Sequence, residues 1–369
     1  MYASEHQRCE TPCGPLVPGA ARSIIRGSES QAPRARIERG YWRLARWLAW
    51  ALFTFGALFT ASRVSAQDWP NRPIHLVMPF APGGLVESVL AVVREPVEAR
   101  LGQRLILEHK AGAGGIVGMQ SVLAATADGY TMAVVPSNTM VINQFLYRDM
   151  PFDPLRDFQP VTLLVDVPLV LSISARLPMR RLDEFLAYAR SHPGAVHYGS
   201  PGPGTPPHLA GELLARAAHL DLVHVPYKGG AAAATALMAN EIQCMLIAYV
   251  SLAGQTQGSA VRPLAVIAPA RLAALPDTPT MAEAGEPALA DALPSSWWGI
   301  VAARGTPENA IRRTAEAFAQ ALSGPLAAER LRESGLVPNA SNATAFAQRM
   351  TREAAYWQVK MSELNIKAE

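Results

Sequence analysis

Short apolar runs recur along residues 74–302, and amphipathic helical patterns fill the intervals between them. The runs fall at Ile74–Met78, Leu105–Glu108, Thr131–Val135, Val161–Val165, Leu169–Ile173, His197–Gly199, Leu222–His224, Cys244–Ile247, Leu264–Ile267 and Gly299–Ala302. Each is nearly continuous in apolar residues rather than strictly alternating. Strands covered by helices on both faces read this way, so the pattern predicts mainly parallel sheets.

The intervals carry helix signals. Ser88–Leu101 stops at Gly102, a residue suited to a left-handed C-cap. Thr205-Pro206-Pro207 predicts a helix start, with threonine at the N-cap and proline at the first helical position. Leu209, Leu213, Leu214, Ala217 and Leu220 then form one apolar face. Thr306-Pro307-Glu308 predicts a second start of the same kind, with Ile311, Ala315, Phe318, Ala319 and Leu322 inward. A last helix is expected from about Ala345 to Leu364, with Phe346, Met350, Trp357, Met361 and Leu364 as its core stripe.

Proline-punctuated connectors at 151–158 and 275–280 bracket a self-contained set of strands and helices. The chain is therefore expected to leave one lobe, build a second, and return. Lobe one takes residues 67–168 plus 291–369, and lobe two takes 169–290. Two crossings place a hinge behind a cleft. The fold class expected is α/β, a two-lobed binding-protein fold of type II kind, each lobe a mainly parallel sheet flanked by helices.

Residues 1–66 stand apart. Arg43 and Arg46, the apolar stretch Leu48–Thr60 and the small residues Val64-Ser65-Ala66 predict a secretory signal cleaved near Ala66. The apolar stretch is short for a bilayer span. Residues 1–40 have no periodicity and read either as a start codon placed too far upstream or as a disordered leader. This segment holds nine Arg and four Glu, so of 33 basic and 30 acidic residues in the chain, 24 and 26 follow it. The basic balance belongs to the leader, and nucleic acid is not expected as a partner. Cys9 and Cys13 precede the cleavage site, which leaves Cys244 alone in an apolar run, expected as a buried small hydrophobe without a disulfide.

Candidate chemistry lies at the turns that end the strands. Arg72 to Gly84, RPIHLVMPFAPGG, is an apolar strand stopped by Pro82-Gly83-Gly84, where bare backbone can turn its N–H groups toward a small anion. Ala111–Gly118 is also strand, glycine turn and helix, but Val117 stands where a dinucleotide fingerprint needs its third glycine. Ser137-Asn138-Thr139 offers hydroxyl and amide groups for a helix cap or a ligand oxygen. Gly199–Thr205 includes Ser200, Gly202 and Thr205, yet lacks the glycine two residues before the serine that a nucleophile elbow requires. His208 sits just inside the next helix. Tyr227, in Val225–Gly230, offers a phenol to a carboxylate or closes the hinge. No His, Cys, Asp and Glu set has metal-ligand spacing. In open α/β sheets ligands bind beyond the carboxyl ends of strands, where helix N-termini add donors and partial positive charge. The residues together predict a small carboxylate held by backbone amides and hydroxyls.

RPIHLVMPFAPGG, LGQRLILEHKAGAGGIVG, ADGYTM, FLYRDMPFDPLRDFQPV, HLAGELL, LVHVPYKGG, LPDTPTMAEAG and WWGIVAARGTP, in this order, make residues 68–369 resemble the tripartite tricarboxylate transporter substrate-binding proteins, also called Bug proteins. The resemblance implies a two-lobed periplasmic protein that is not an enzyme, needs no cofactor or metal, and closes as a monomer on a small organic carboxylate. Its implied partners are the permease subunits of a tripartite membrane transporter, or the sensor kinase of a two-component system. It carries over onto Phe80, Pro82, Gly83, Gly84, Ser137, Thr139, Ser200, Thr205, His208 and Tyr227. Four positions depart from the family's usual residues: Glu87 for Asp, Ala91 for Arg, and Gln243 and Ile247 where an acidic pair is usual. Without an acid near Ile247 to meet an ammonium group, the ligand is expected to lack an amine. The competing class is an exported enzyme using Ser200, Cys244 or His208, which would need a base and an orienting acid that spacing does not supply.

Overall fold

A computed structural model describes residues 69–82, 85–253, 260–293, 295–364 and 366. The expected leader and signal, and the glycines Gly83 and Gly84, lie outside the described residues. All ten apolar runs are strands: β1 (Ile74–Met78), β2 (Leu105–His109), β3 (Thr131–Pro136), β4 (Phe158–Val167), β5 (Leu169–Ser174), β6 (Val196–Ser200), β7 (Leu222–Pro226), β8 (Cys244–Ala248), β9 (Val261–Ile267) and β10 (Ser296–Ala303). A two-residue strand, β11 (Val337–Pro338), was not expected and extends one edge.

The strands form two sheets, ordered β11-β4-β10-β3-β1-β2 and β7-β6-β8-β5-β9. Pairing is parallel in β2-β1-β3 and β7-β6-β8. The strands that carry the chain between sheets run antiparallel to their neighbours, so each sheet is mixed. The reason is the path: a chain that enters and leaves a lobe at one end must reverse a strand to do so. Only Pro168 separates β4 from β5. At the return crossing Ser296 of β10 pairs with Val167 of β4, so the two crossings lie side by side.

Helices cover both faces. Leu85–Leu101 buries Val86, Val89, Leu90, Val93 and Val97 at helical spacing, and Gly102 ends it at φ +68 while donating to the Glu98 carbonyl at 2.9 Å. Pro206–Ala217 starts after Thr205, as expected. Ala217 is exposed, however, and Ala218 takes the inward place because the helix ends there and His219 turns to φ +53. Glu308–Ser323 has Pro307, not Thr306, at its N-cap. The final helix, Ala343–Leu364, buries Phe346, Met350, Trp357 and Met361. Its start packs on β10, where Phe346 meets Trp297 edge-on at 4.9 Å. Its end receives a 2.6 Å hydrogen bond from Arg216 of the second sheet's helix to the Glu363 carbonyl. One helix thus straps both sheets.

Candidate functional site

At the carboxyl ends of β1, β2 and β3 three segments converge. The turn after β2 rises through Gly112, Gly114 and Gly115, all at positive φ, into the helix Ile116–Leu123. A Cβ on Gly115 would lie 3.2 Å from Thr139 Oγ1 and 3.5 Å from the Phe80 ring. Asn143 fastens this turn from the other side by donating to the Gly114 carbonyl at 2.9 Å. Phe80 is half-buried and meets Trp298 of β10 edge-on at 5.9 Å. Its carbonyl accepts from His109 Nδ1 at 3.0 Å, and His109 Nε2 stands 3.5 Å from Glu87 Oε1. Pro82 is exposed.

Ser137, Asn138 and Thr139 lead from β3 into a π-helical turn, Asn138–Ile142. The expected helix cap does not form: no side-chain cap bond is made by Ser137. Its hydroxyl instead meets that of Ser296 at 3.0 Å, and Asn138 is half-buried. Thr139 is fully buried, and its hydroxyl has no hydrogen-bond partner among the described residues. A cavity of about 10 Å³ separates Ser137 and Ile142 from Pro206 and Ala210 of the second sheet's helix. That is room for about one water, so the two halves are in near contact at this edge.

At the carboxyl ends of β6 and β7 the polar groups serve one another. Ser200 Oγ is fully buried, lies 2.7 Å from His224 Nε2, and accepts the Gly202 N–H at 3.1 Å. The Thr205 hydroxyl donates to the Gly202 carbonyl at 2.7 Å and caps no helix N–H. His208 points inward, buried, and accepts the Gly204 N–H on Nδ1 at 3.0 Å. The half-buried Tyr227 donates its backbone N–H to the Ser200 carbonyl at 2.9 Å, and burial pushes its phenol up, with Glu241 adding to the effect. Gly229 N–H reaches the Pro201 carbonyl at 3.3 Å, which ties the two turns into one layer.

Sequence reasoning missed Trp298, Gly115 and the Tyr198–His224–Glu212 group. Glu212 stands one turn after His208 and was legible in that spacing. His224 was not: only the parallel register, which sets Tyr198 beside His224, brings it under Ser200.

The departures have plain structural roles. Gln243 accepts the His197 N–H at 2.9 Å. Ile247 is buried, and a Cβ on Gly230 would come 2.9 Å from its Cδ1. Ala91 is exposed on its helix. Cys244 is fully buried, and burial pushes its thiol up to about 12, away from nucleophile chemistry. Among the described residues no group of three His, Cys, Asp or Glu could hold a metal ion, and no helix is long and apolar enough to cross a membrane. The arrangement can hold an anion by hydroxyl and backbone groups beside two aromatic rings. Among the described residues it sets no base and acid beside an exposed nucleophile.

Residues 89–366 match the family model described as tripartite tricarboxylate transporter family receptor. A curated relative from Pseudomonas sp. (strain P51), a UPF0065 protein from the tcbD-tcbE intergenic region, is 33% identical over 84% of this chain and 92% of its own. Protein BugT of Bordetella pertussis is 29% identical over 75% and 85%. Among solved structures, a periplasmic transporter is 32% identical with TM-score 0.73, covering 81% of this chain and 99% of its own. R. palustris Rpa4515 with adipate is 29% identical with TM-score 0.74, over the same shares.

Proposed function

The chain belongs to the tripartite tricarboxylate transporter receptor family, and on that premise we propose that it captures a small organic carboxylate by lobe closure and hands it to the membrane subunits of such a transporter. It is a periplasmic solute-binding protein of this family and not an enzyme. The observation that carries the ligand reading is the Thr139 hydroxyl: fully buried, without a hydrogen-bond partner among the described residues, and converging with Gly115 and Phe80. A hydroxyl buried without a partner costs about 1–3 kcal/mol, which a carboxylate oxygen accepting its proton would offset.

The proposed pocket combines Phe80, Pro82, Gly83, Gly84, Glu87 and Thr139 from residues 67–168 with the 200–205 turn and Tyr227 from residues 169–290. Export by cleavage near Ala66 is part of the same reading. The apolar surroundings of Ile247 and the Phe80–Trp298 pair favour an acid without an amine and with an aliphatic or aromatic body. Solved relatives were obtained with adipate and, for MatC (Rpa3494) of Rhodopseudomonas palustris, with malate.

A thermal-shift series over adipate, malate, benzoate and aspartate tests it. An acid at 100 times its Kd is expected to stabilise the protein by about 2.7 kcal/mol, with aspartate the weakest. If no acid moves the transition, and mass spectrometry of the purified protein finds none retained, the reading fails.

A further inference from the structure

Beneath the 200–205 turn lies a column of polar side chains: Tyr198, His208, Glu212 and His224. The His224 ring lies tilted 4.1 Å from His208 and stacks 4.9 Å from Tyr198. The Tyr198 hydroxyl donates to Glu212 Oε1, which stands 3.8 Å from His208 Nε2.

The hydrogen bonds dictate a protonation state. A backbone N–H can only donate, and that of Gly204 points at His208 Nδ1 from 3.0 Å. Nδ1 is therefore unprotonated, and the neutral ring carries its proton on Nε2, on the Glu212 side. A second proton would go onto Nδ1 and set two N–H groups against each other. Gly204 has little freedom to turn away. It is buried at φ +73, and a Cβ there would come 2.6 Å from Leu146 Cδ1, on the short helix that follows β3. His224 holds the other end of the turn through Ser200, whose oxygen accepts the Gly202 N–H.

We propose that His208 and His224 are positioning residues for ligand capture: the neutral imidazole pair holds the 200–205 turn in its binding form, and a proton on His208 releases Gly204 and weakens binding. This rests on the carboxylate-capture reading above. The charged and titratable groups facing His208 are Glu212 on its own helix, Tyr198 on β6 and His224 on β7, while Cys244 on β8 acts on Tyr198. Glu212 favours the cation but stands beyond hydrogen-bond reach of Nε2 and already accepts the Tyr198 proton. Burial opposes the cation and holds both imidazoles down to about 4; at His224 the neighbouring His208 adds to this and Glu212 opposes it.

Two measurements test the proposal. In the ¹⁵N-labelled full protein without ligand, titrated from pH 7.5 to 3, His208 Nδ1 is expected to stay unprotonated through pH 6. The Gly204 amide resonance is expected to move with the same midpoint as His208. A His208 midpoint near the ordinary 6.5, or a Gly204 amide that ignores it, overturns the proposal.

The second measurement compares adipate affinity in the wild type and in His208→Asn, whose amide oxygen takes the place of Nδ1 and can gain no proton. With His208 held down to about 4, wild-type affinity is expected to change little down to pH 5 and to fall about fourfold between pH 6 and 3.5. The variant is expected to bind more weakly at pH 7.5 but to change only by what the titration of adipate itself imposes on both proteins. Equal pH dependence in the two overturns the proposal. If adipate binds neither protein at pH 7.5 and no other acid in the series does, the carboxylate reading falls, and the titration alone decides what the histidines hold. If the variant does not fold, the wild-type titration decides in the same way.

Discussion

The two sheet ends that frame the candidate site are wired in opposite ways. Beyond β6 and β7, Ser200, Thr205 and His208 spend their hydrogen bonds on the turn that carries them. Beyond β3, the Thr139 hydroxyl is buried among Gly115 and Phe80 with no partner among the described residues. Both turns have the composition of an anion site, so residue types did not separate them. Hydrogen-bond accounting does. One turn spends its polar side chains on its own shape, and the other leaves a buried hydroxyl without a partner among the described residues.

The sharpest way to break this contrast is pH. His208 is held near 4, below an unfolded value of about 6.5, so the native state binds fewer protons than the unfolded chain in between. Its contribution to stability is full above about pH 6.5 and is lost as pH falls toward 4, a change of about 3 kcal/mol. Urea midpoints measured across this window should fall with pH, and a flat profile would show the turn is not built on a neutral imidazole.

Packing under the same turn comes next. A Cβ on Gly211 would run into the buried Tyr198 ring, so Gly211→Ala should cost about 1–3 kcal/mol in denaturant unfolding. An unchanged midpoint would mean the Tyr198 ring can move aside. Ser200→Ala strips the Gly202 N–H of its acceptor and should cost about 1–2 kcal/mol. Its loss of ligand affinity should be no larger than its loss of stability.

Thr139→Val should do the reverse. Removing an unpartnered buried hydroxyl leaves stability within about 1 kcal/mol of the wild type or raises it, while adipate affinity falls about tenfold, the worth of 1.4 kcal/mol. If Thr139→Val destabilises and Ser200→Ala loses more affinity than stability instead, the two ends have been assigned the wrong way round.

Much of this was legible in the chain. Strands of five to ten apolar residues bounded by glycine and proline could be located because burial on both faces demands continuous hydrophobicity. Thr205 before two prolines marked a helix start to the residue. The reversed direction of β5 and β10 was not legible, since apolar runs read the same forward and backward. Ser137-Asn138-Thr139 reads as a cap or ligand turn, yet a π-helical turn runs over Asn138–Ile142, because the fit of Met140, Val141 and Ile142 into the core overrides the capping preference of Ser137.

The order of residues therefore determined the two-lobed plan, the turns that end the strands, and the absence of a catalytic spacing. Local propensity and hydrophobic periodicity act within a few residues and need no partner to be read. Tertiary structure alone decided which polar groups are spoken for. His224 reaches Ser200 only through the parallel register of β6 and β7, and Gly204 is pinned only because Leu146, 58 residues earlier, packs against it. A hydrogen bond between distant residues has no sequence period, so the same Ser, Thr and His can build a wall or greet a ligand.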